Sequence, residues 1–254
     1  MNSSQILGVK IDSLTLSEAL ERTSGFLSAS GQHVIFTPNP EMLVKARSDL
    51  YFKAVLNNGD LNICDGFGVS LVSGFRIKRI TGVDFMLDLC ALAEQEGKSV
   101  YLLGSGSDDV VKKAAEELKR KSPKLIIAGF NKGPKIEEKS LLVNESRLEI
   151  VSEENTDLIR DINQQRPAIL FVAFGMGKQE KWIYENLPKL PSVKIAMGVG
   201  GSVDYLGGHL RRPPRLMRTL GLEWLYRLFC QPERFGRIWN ATAKFLFLCI
   251  FTKF

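Results

Sequence analysis

An α/β fold, a parallel sheet with helices on both faces, is what the sequence predicts, and two observations predict it. Several short runs, among them His33–Thr37, Ala168–Phe174 and Val193–Val199, are nearly continuous in apolar residues instead of alternating. That is the pattern of strands buried on both sides. The stretches between them carry apolar residues at helical spacing, as Phe85, Leu89 and Leu92 do within Val83–Glu96, and strands separated by helices build crossover units. Together these features give a Rossmann-like core.

Taken in order, Ile6–Ile11 reads as a short strand and Leu16–Leu27 as a helix. His33–Thr37 is a strand that stops at Pro38; Glu41–Leu56 forms one or two helices, and Leu61–Cys64 a brief strand ending at Asp65-Gly66. Gly68–Phe75 and Val83–Glu96 are helical. Ser99–Leu103 is a strand running into Gly-Ser-Gly, backed by the amphipathic helix Asp109–Arg120. Then come strand Leu125–Ala128, helix Asn155–Gln164, strand Ala168–Phe174, helix Gln179–Asn186 and strand Val193–Val199. Residues 131–152 break the rhythm with charge, Gly and Pro, and read as a surface excursion or mobile loop.

The 254 residues suffice for one sizeable core with a small appendage. The N-terminus shows neither a basic n-region nor a long apolar h-region, so no signal peptide is expected. No window approaches the ~20 apolar residues of a spanning helix. Cys64, Cys90, Cys230 and Cys249 show no CxxC pairing, and His33 and His209 are the only histidines. The cysteines therefore read as reduced core or interface residues, and no metal site is expected.

Charge divides the chain unevenly. From His209 onward, nine Lys/Arg face only Glu223 and Glu233, a net +7, while the whole chain carries +6. Nine of the 23 aromatic residues lie in the same 46 positions. The division predicts an α/β domain over 1–207 and, over 208–254, a helical, basic, membrane-associating appendage. If Pro232 opens a helical segment that continues the one before it, Arg227, Arg234 and Arg237 share a face. Such a cluster calls for an anion, and guanidinium matches phosphate geometry well. Leu220, Trp224, Leu225 and Leu228 form an apolar stripe beside it, suited to core docking, or to self-association when the tail is undocked. The terminal FLFLCIF run resembles an interfacial anchor.

Ligands of open parallel sheets bind off the carboxyl ends of the strands, so those ends supply the candidate site. Thr37 and Asn39 flank Pro38 as turn-formers or as donors to a sugar. Asp65 is placed either to cap the next helix, which spacing alone favours, or to act as general base toward a hydroxyl. Gly104, Ser105 and Gly106 make either a tight turn or a phosphate contact. Gly175 precedes Gln179 and Glu180 at a helix start, where first-turn acidity is the ordinary reading. Gly200 and Gly201 close the last strand, and Arg212 opens the tail. Arg79 pairs with Asp84 or neutralises a diphosphate.

The blocks TPNPEM (37–42), CDGFGV (64–69), RITGVD (79–84), YLLG (101–104), GMGKQEKW (175–182) and MGVGGSVDYLGGHLRRPPRLMRTLGLEWLYRL (197–228) together resemble the WecG/TagA/CpsF family of bacterial glycosyltransferases. The resemblance covers nearly the whole chain. It implies inverting transfer of a sugar, N-acetylmannosamine or its uronic acid in the best-known members, from a UDP-sugar to a polyprenyl-diphosphate-linked N-acetylglucosamine. The product would feed teichoic acid or surface polysaccharide. The resemblance makes Asp65 the base, lines the pocket with Thr37, Asn39, Arg79 and Gln179, and gives the acceptor diphosphate to Arg227, Arg234 and Arg237. It places the enzyme in the cytoplasm, peripheral on the inner face of the membrane. Asp-x-Asp is absent, so Arg side chains and helix N-termini are the available means of offsetting leaving-group charge. No cofactor and no nucleic acid partner is implied. Gly177 stands where relatives commonly carry Pro. Two other readings compete: a nucleotide-binding oxidoreductase, disfavoured because Gly104-Ser-Gly lacks a third glycine, and a non-enzymatic module that binds acidic lipid or nucleic acid through its tail.

Overall fold

The computed structural model describes residues 3–142, 144–219, 221–230, 233 and 235–251, with backbone alone at 141, 142, 219, 227, 230 and 237. A hairpin, β1 (Ser3–Ile6) and β2 (Val9–Asp12), comes first. One strand was expected there; Leu7 and Gly8 both adopt positive φ, 50° and 80°, and turn the chain back on itself. Next follow α1 (Leu16–Ser28), β3 (His33–Phe36), α2 (Pro40–Ser48), α3 (Leu50–Asn57), β4 (Leu61–Asn62), α4 (Phe67–Val72) and α5 (Gly82–Gln95). Then come β5 (Ser99–Gly104), α6 (Asp108–Lys121), β6 (Ile126–Asn131), β7 (Ile136–Leu142), β8 (Glu145–Ile150), α7 (Ser152–Gln165), β9 (Ile169–Ala173), α8 (Lys178–Asn186), β10 (Ile195–Gly198) and α9 (Ser202–Leu206). The tail adds α10 (Arg215–Thr219), α11 (Glu223–Cys230), α12 (Phe235–Trp239), a π-helical turn (Asn240–Lys244) and α13 (Phe245–Phe251).

Six strands form the central sheet in the order β4-β3-β10-β9-β5-β6, all parallel. Successive residues of each strand feed opposite cores, which explains the continuous apolar runs. Val34, Phe36, Tyr101, Leu103, Leu170, Val172 and Ala196 face one core, shared with α2, α3 and α8. Ile35, Val100, Leu102, Ile169, Phe171, Ile195 and Met197 face the other, shared with α5 and α6. Phe245 and Cys249, one helical turn apart on α13, are buried in the first core, so the end of the tail docks on the body.

The 131–152 segment is no mobile loop. Its β7–β8 hairpin is antiparallel and is clamped to the body by charge. Lys181 of α8 is fully buried, and its Nζ donates to Asp49 Oδ2 at 2.7 Å and to Glu138 Oε1 at 2.6 Å. It also donates to the carbonyl of Ser146 at 2.8 Å. Lys45 reaches Glu138 from α2 at 2.5 Å, and the Arg147 guanidinium lies 3.5 Å from the ring centroid of Tyr51. Burial pushes the Asp49 and Glu138 carboxyls up, yet the hydrogen bonds from Lys181, with Ser146 and Lys45, outweigh it and hold both below their ordinary values.

Candidate active site

The loops leaving β3 and β4 are laced together. The backbone N–H of Asp65 donates to the carbonyl of Pro38 at 3.1 Å. Asn39 caps α2, its Oδ1 accepting from the Met42 N–H at 3.1 Å, so its turn-forming role is real. Asp65 does not cap α4, contrary to the reading that spacing favours: the cap is Gly66, one residue on, with no side-chain hydrogen bond. The Asp65 carboxylate instead turns toward the start of α5. A methyl group placed on Gly82 would lie 3.3 Å from Asp65 Oδ2 and 3.5 Å from Thr37 Oγ1. Asp65, Thr37 and the N-terminus of α5 therefore meet at one point of the sheet edge.

Asp65 opens on a cavity of about 370 Å³, floored by Asn39, Glu41 and Gly66 and walled by Phe67, Leu71 and Arg79. Its roof is the tail: Glu223, Trp224, Ile238, Ala241, Thr242, Phe245 and Leu246. The lining is mostly apolar, with charge gathered at Asp65, Glu41, Arg79 and Glu223. Gly221 lets the roof come close, since a methyl group there would sit 2.4 Å from the Phe67 ring.

Among the described residues, the Arg79 guanidinium pairs with the tail and not with Asp84. Its Nη1 donates to the carbonyl of Arg218 at 2.8 Å and its Nη2 to the Glu223 carboxylate, both in the tail. Its Nε is buried and has no hydrogen-bond partner among the described residues. Asp84 is taken by the tail as well, through Arg212 at 2.7 Å and Arg218 at 3.8 Å. Burial raises the Asp84 carboxyl, but Thr81 and these arginines overcome it and leave it lowered. Arg212 thus serves as a strap between tail and α5. Of the guanidinium cluster, Arg234 lies outside the described residues, as do the side chains of Arg227 and Arg237 and the whole of Leu220 and Pro232.

Further along the sheet edge, the chain leaves β5 toward β6 but leaves β9 toward β10 on the opposite side. Such a reversal opens a crevice between the two strands. Both flanks are glycine-rich. Gly104, Ser105 and Gly106 have φ of 118°, 75° and 69°. A side chain at Gly104 would strike the Ala173 backbone at 2.6 Å, so the tight-turn reading accounts for that glycine, whereas Gly106 is exposed and open. The N-terminus of α6 is already matched by Asp108 and Asp109, which disfavours a further anion there. On the other flank Gly177 has φ of 88°, which proline cannot adopt.

Gln179 does not line the Asp65 cavity. It is buried, accepts from the Gly200 N–H at 3.0 Å and donates to Glu180 at 2.8 Å. It thereby ties the start of α8 to the loop of Gly200 and Gly201. Glu180 accepts from the Gly177 N–H at 2.7 Å. Burial lifts its carboxyl to about 7 against the pull of those hydrogen bonds. Gly175 lies in the same connection, with open space beside it.

Glu223 and Trp224 are among the cavity residues that escape the sequence reading, as are Glu41, Phe67 and Leu71. Glu223 did carry a signal, being one of only two acids in the basic tail. Cys64, Cys90 and Cys249 are buried free thiols, and burial pushes Cys64 and Cys249 to about 11 and Cys90 to about 12, so none is a ready nucleophile. Among the described residues no cluster of His, Cys, Asp and Glu is arranged to hold a metal ion, and no helix is long and apolar enough to cross a membrane.

The chain matches the Glycosyl transferase WecG/TagA/CpsF family profile over residues 4–254. It is 28% identical over 240 residues to the N-acetylglucosaminyldiphosphoundecaprenol N-acetyl-beta-D-mannosaminyltransferase of Staphylococcus aureus (strain NCTC 8325 / PS 47), covering 92% of this chain and 87% of the relative. The Bacillus subtilis (strain 168) enzyme of the same name is 31% identical over 209 residues, 81% of this chain and 74% of its own. With a site of this geometry and a match of this extent, the chain belongs to the WecG/TagA/CpsF family of glycosyltransferases.

Proposed function

We propose that this glycosyltransferase moves N-acetylmannosamine from a UDP-sugar to a polyprenyl-diphosphate-linked N-acetylglucosamine, in teichoic acid or surface polysaccharide synthesis. The observation that carries this reading is a carboxylate at a strand end, Asp65, facing an apolar cavity roofed by a basic tail. Asp65 takes the proton of the acceptor hydroxyl as its oxygen bonds to the anomeric carbon. The bond from that carbon to the diphosphate breaks with inversion, and UDP leaves. Thr37 borders the same point. Arg79 and the tail arginines 227, 234 and 237 serve the acceptor diphosphate. The donor nucleotide lies along the crevice between β5 and β9, where Gly106 and Gly175 have open space beside them. Gln179 and Glu180 hold that edge in shape.

The tail, residues 208–254, closes over the 1–207 body and sets the enzyme on the inner face of the cell membrane. Its outward side supports this: Phe229, Phe235, Trp239, Phe247, Ile250 and Phe251 are all more than half exposed. An aromatic, cationic surface of that kind is suited to a lipid interface.

The test is transfer to a short-chain lipid-diphosphate N-acetylglucosamine from a panel of UDP-sugars, products read by mass spectrometry. UDP-N-acetylmannosamine should be the preferred donor. Asp65→Asn should bind UDP as the parent does and lose roughly 10²- to 10⁴-fold in turnover. Normal turnover by that variant would remove Asp65 from the chemistry.

A further inference from the structure

We propose that the turn after α4, Ser73-Gly74-Phe75-Arg76, is a second membrane contact carried by the catalytic body itself, with anionic phospholipid as its partner. The inference rests on the membrane reading of the tail given above. Phe75 is 60% exposed and has φ of 61°, directly after Gly74 at 62°. An aromatic residue in the left-handed region is strained, and here the strain places a large apolar ring in water instead of in a core.

The turn is pinned, so the ring is presented by a fixed scaffold. The N–H of Gly74 donates to Leu71 O at 2.9 Å and that of Phe75 to Ser70 O at 2.8 Å. Ser70 Oγ donates to the carbonyl of Ile77 at 2.8 Å, and Ser73 Oγ accepts from the Ile77 N–H at 3.1 Å. Ile77 is fully buried, while Arg76 and Lys78 on either side of it are exposed. Two cations beside a protruding aromatic ring complement an anionic headgroup layer above acyl chains.

Position favours the same partner. Phe67 and Leu71, also partly exposed, line the Asp65 cavity, and Phe75 packs edge-on to Phe67 with ring centroids 6.1 Å apart. Helix α4 spans only about 9 Å and touches the docked tail where Gly68 meets Phe245. A lipid-linked acceptor entering beside α4 would thus leave the bilayer between two anchors, one on the body and one on the tail.

The test measures binding of the full-length protein, without substrate, to phosphatidylcholine vesicles with and without phosphatidylglycerol. The parent should bind the anionic vesicles. Phe75→Gly should bind roughly tenfold more weakly or worse, while its Tm stays level or rises because glycine accepts the positive φ. Arg76→Ser with Lys78→Ser should lose the preference contributed by phosphatidylglycerol at this site, read as a shallower dependence on anionic lipid. Variants that bind as the parent does would overturn this anchor and leave the tail's role standing. A parent that ignores both vesicles would instead bring down the membrane reading, and this inference with it.

Discussion

Glu180 is the most informative single side chain outside the Asp65 cavity. Its carboxyl is buried and titrates near 7 instead of 4.5. A raised carboxyl favours the protonated folded state, so the unfolded chain gives up its proton first as pH rises. Stability from this group is therefore greatest below pH 4.5, declines from there to about 7, and is flat beyond. Thermal melts of the parent and Glu180→Gln should diverge across that window, the parent losing Tm with rising pH relative to the variant. Parallel curves would show that Glu180 is ionised throughout. Gln179, one residue earlier, illustrates what sequence alone hides. Its place at a helix start was visible, but its bond to Gly200 joins two loops that only the fold brings together. Asp65 was legible as a strand-end carboxylate; that it does not cap α4 follows from the cap falling one residue on, at Gly66.

At the level of elements, the strands and helices of the parallel sheet were readable because each buries a run or stripe of its own sequence. The β7–β8 hairpin was not. Its burial is ionic, and its partners Asp49 and Lys181 lie 97 and 35 residues from Ser146, so its charges looked like those of a solvated loop. Lys181→Met keeps the bulk of the side chain but strands Asp49 and Glu138 without their cation. It should cost about 3–5 kcal/mol in urea denaturation. The hairpin should detach before the sheet, read as faster hydrogen exchange over β7 and β8. A loss below about 1 kcal/mol would mean that the cluster is already hydrated.

For the whole molecule, the decisive arrangement is a tail that both closes the Asp65 cavity and offers an apolar outer face. The charge imbalance of the sequence pointed to such a tail, but not to its inward contacts: the Arg79–Glu223 pair joins positions 144 residues apart. The two faces of α13 can be separated experimentally. Phe247, Ile250 and Phe251 are 58–73% exposed, whereas Phe245 and Cys249 are buried. Replacing the three exposed residues by Ser should leave Tm unchanged and weaken vesicle binding by roughly a hundredfold or more. Transfer to a water-soluble acceptor should persist. A large fall in Tm would show instead that the outer face is structural.

The π-helical turn at Asn240–Lys244 fixes which of those faces points where. Its hydrogen bonds span one more residue than those of the α-helices on either side of it, and so it sets the rotational phase of everything downstream. Excising a single residue there would swing the final helix by about 100° around its axis. Phe245 would be carried out of its socket above Gly68 and a neighbouring side chain turned into it. The length of this five-residue stretch therefore matters to the enzyme as a screw thread matters to a bolt.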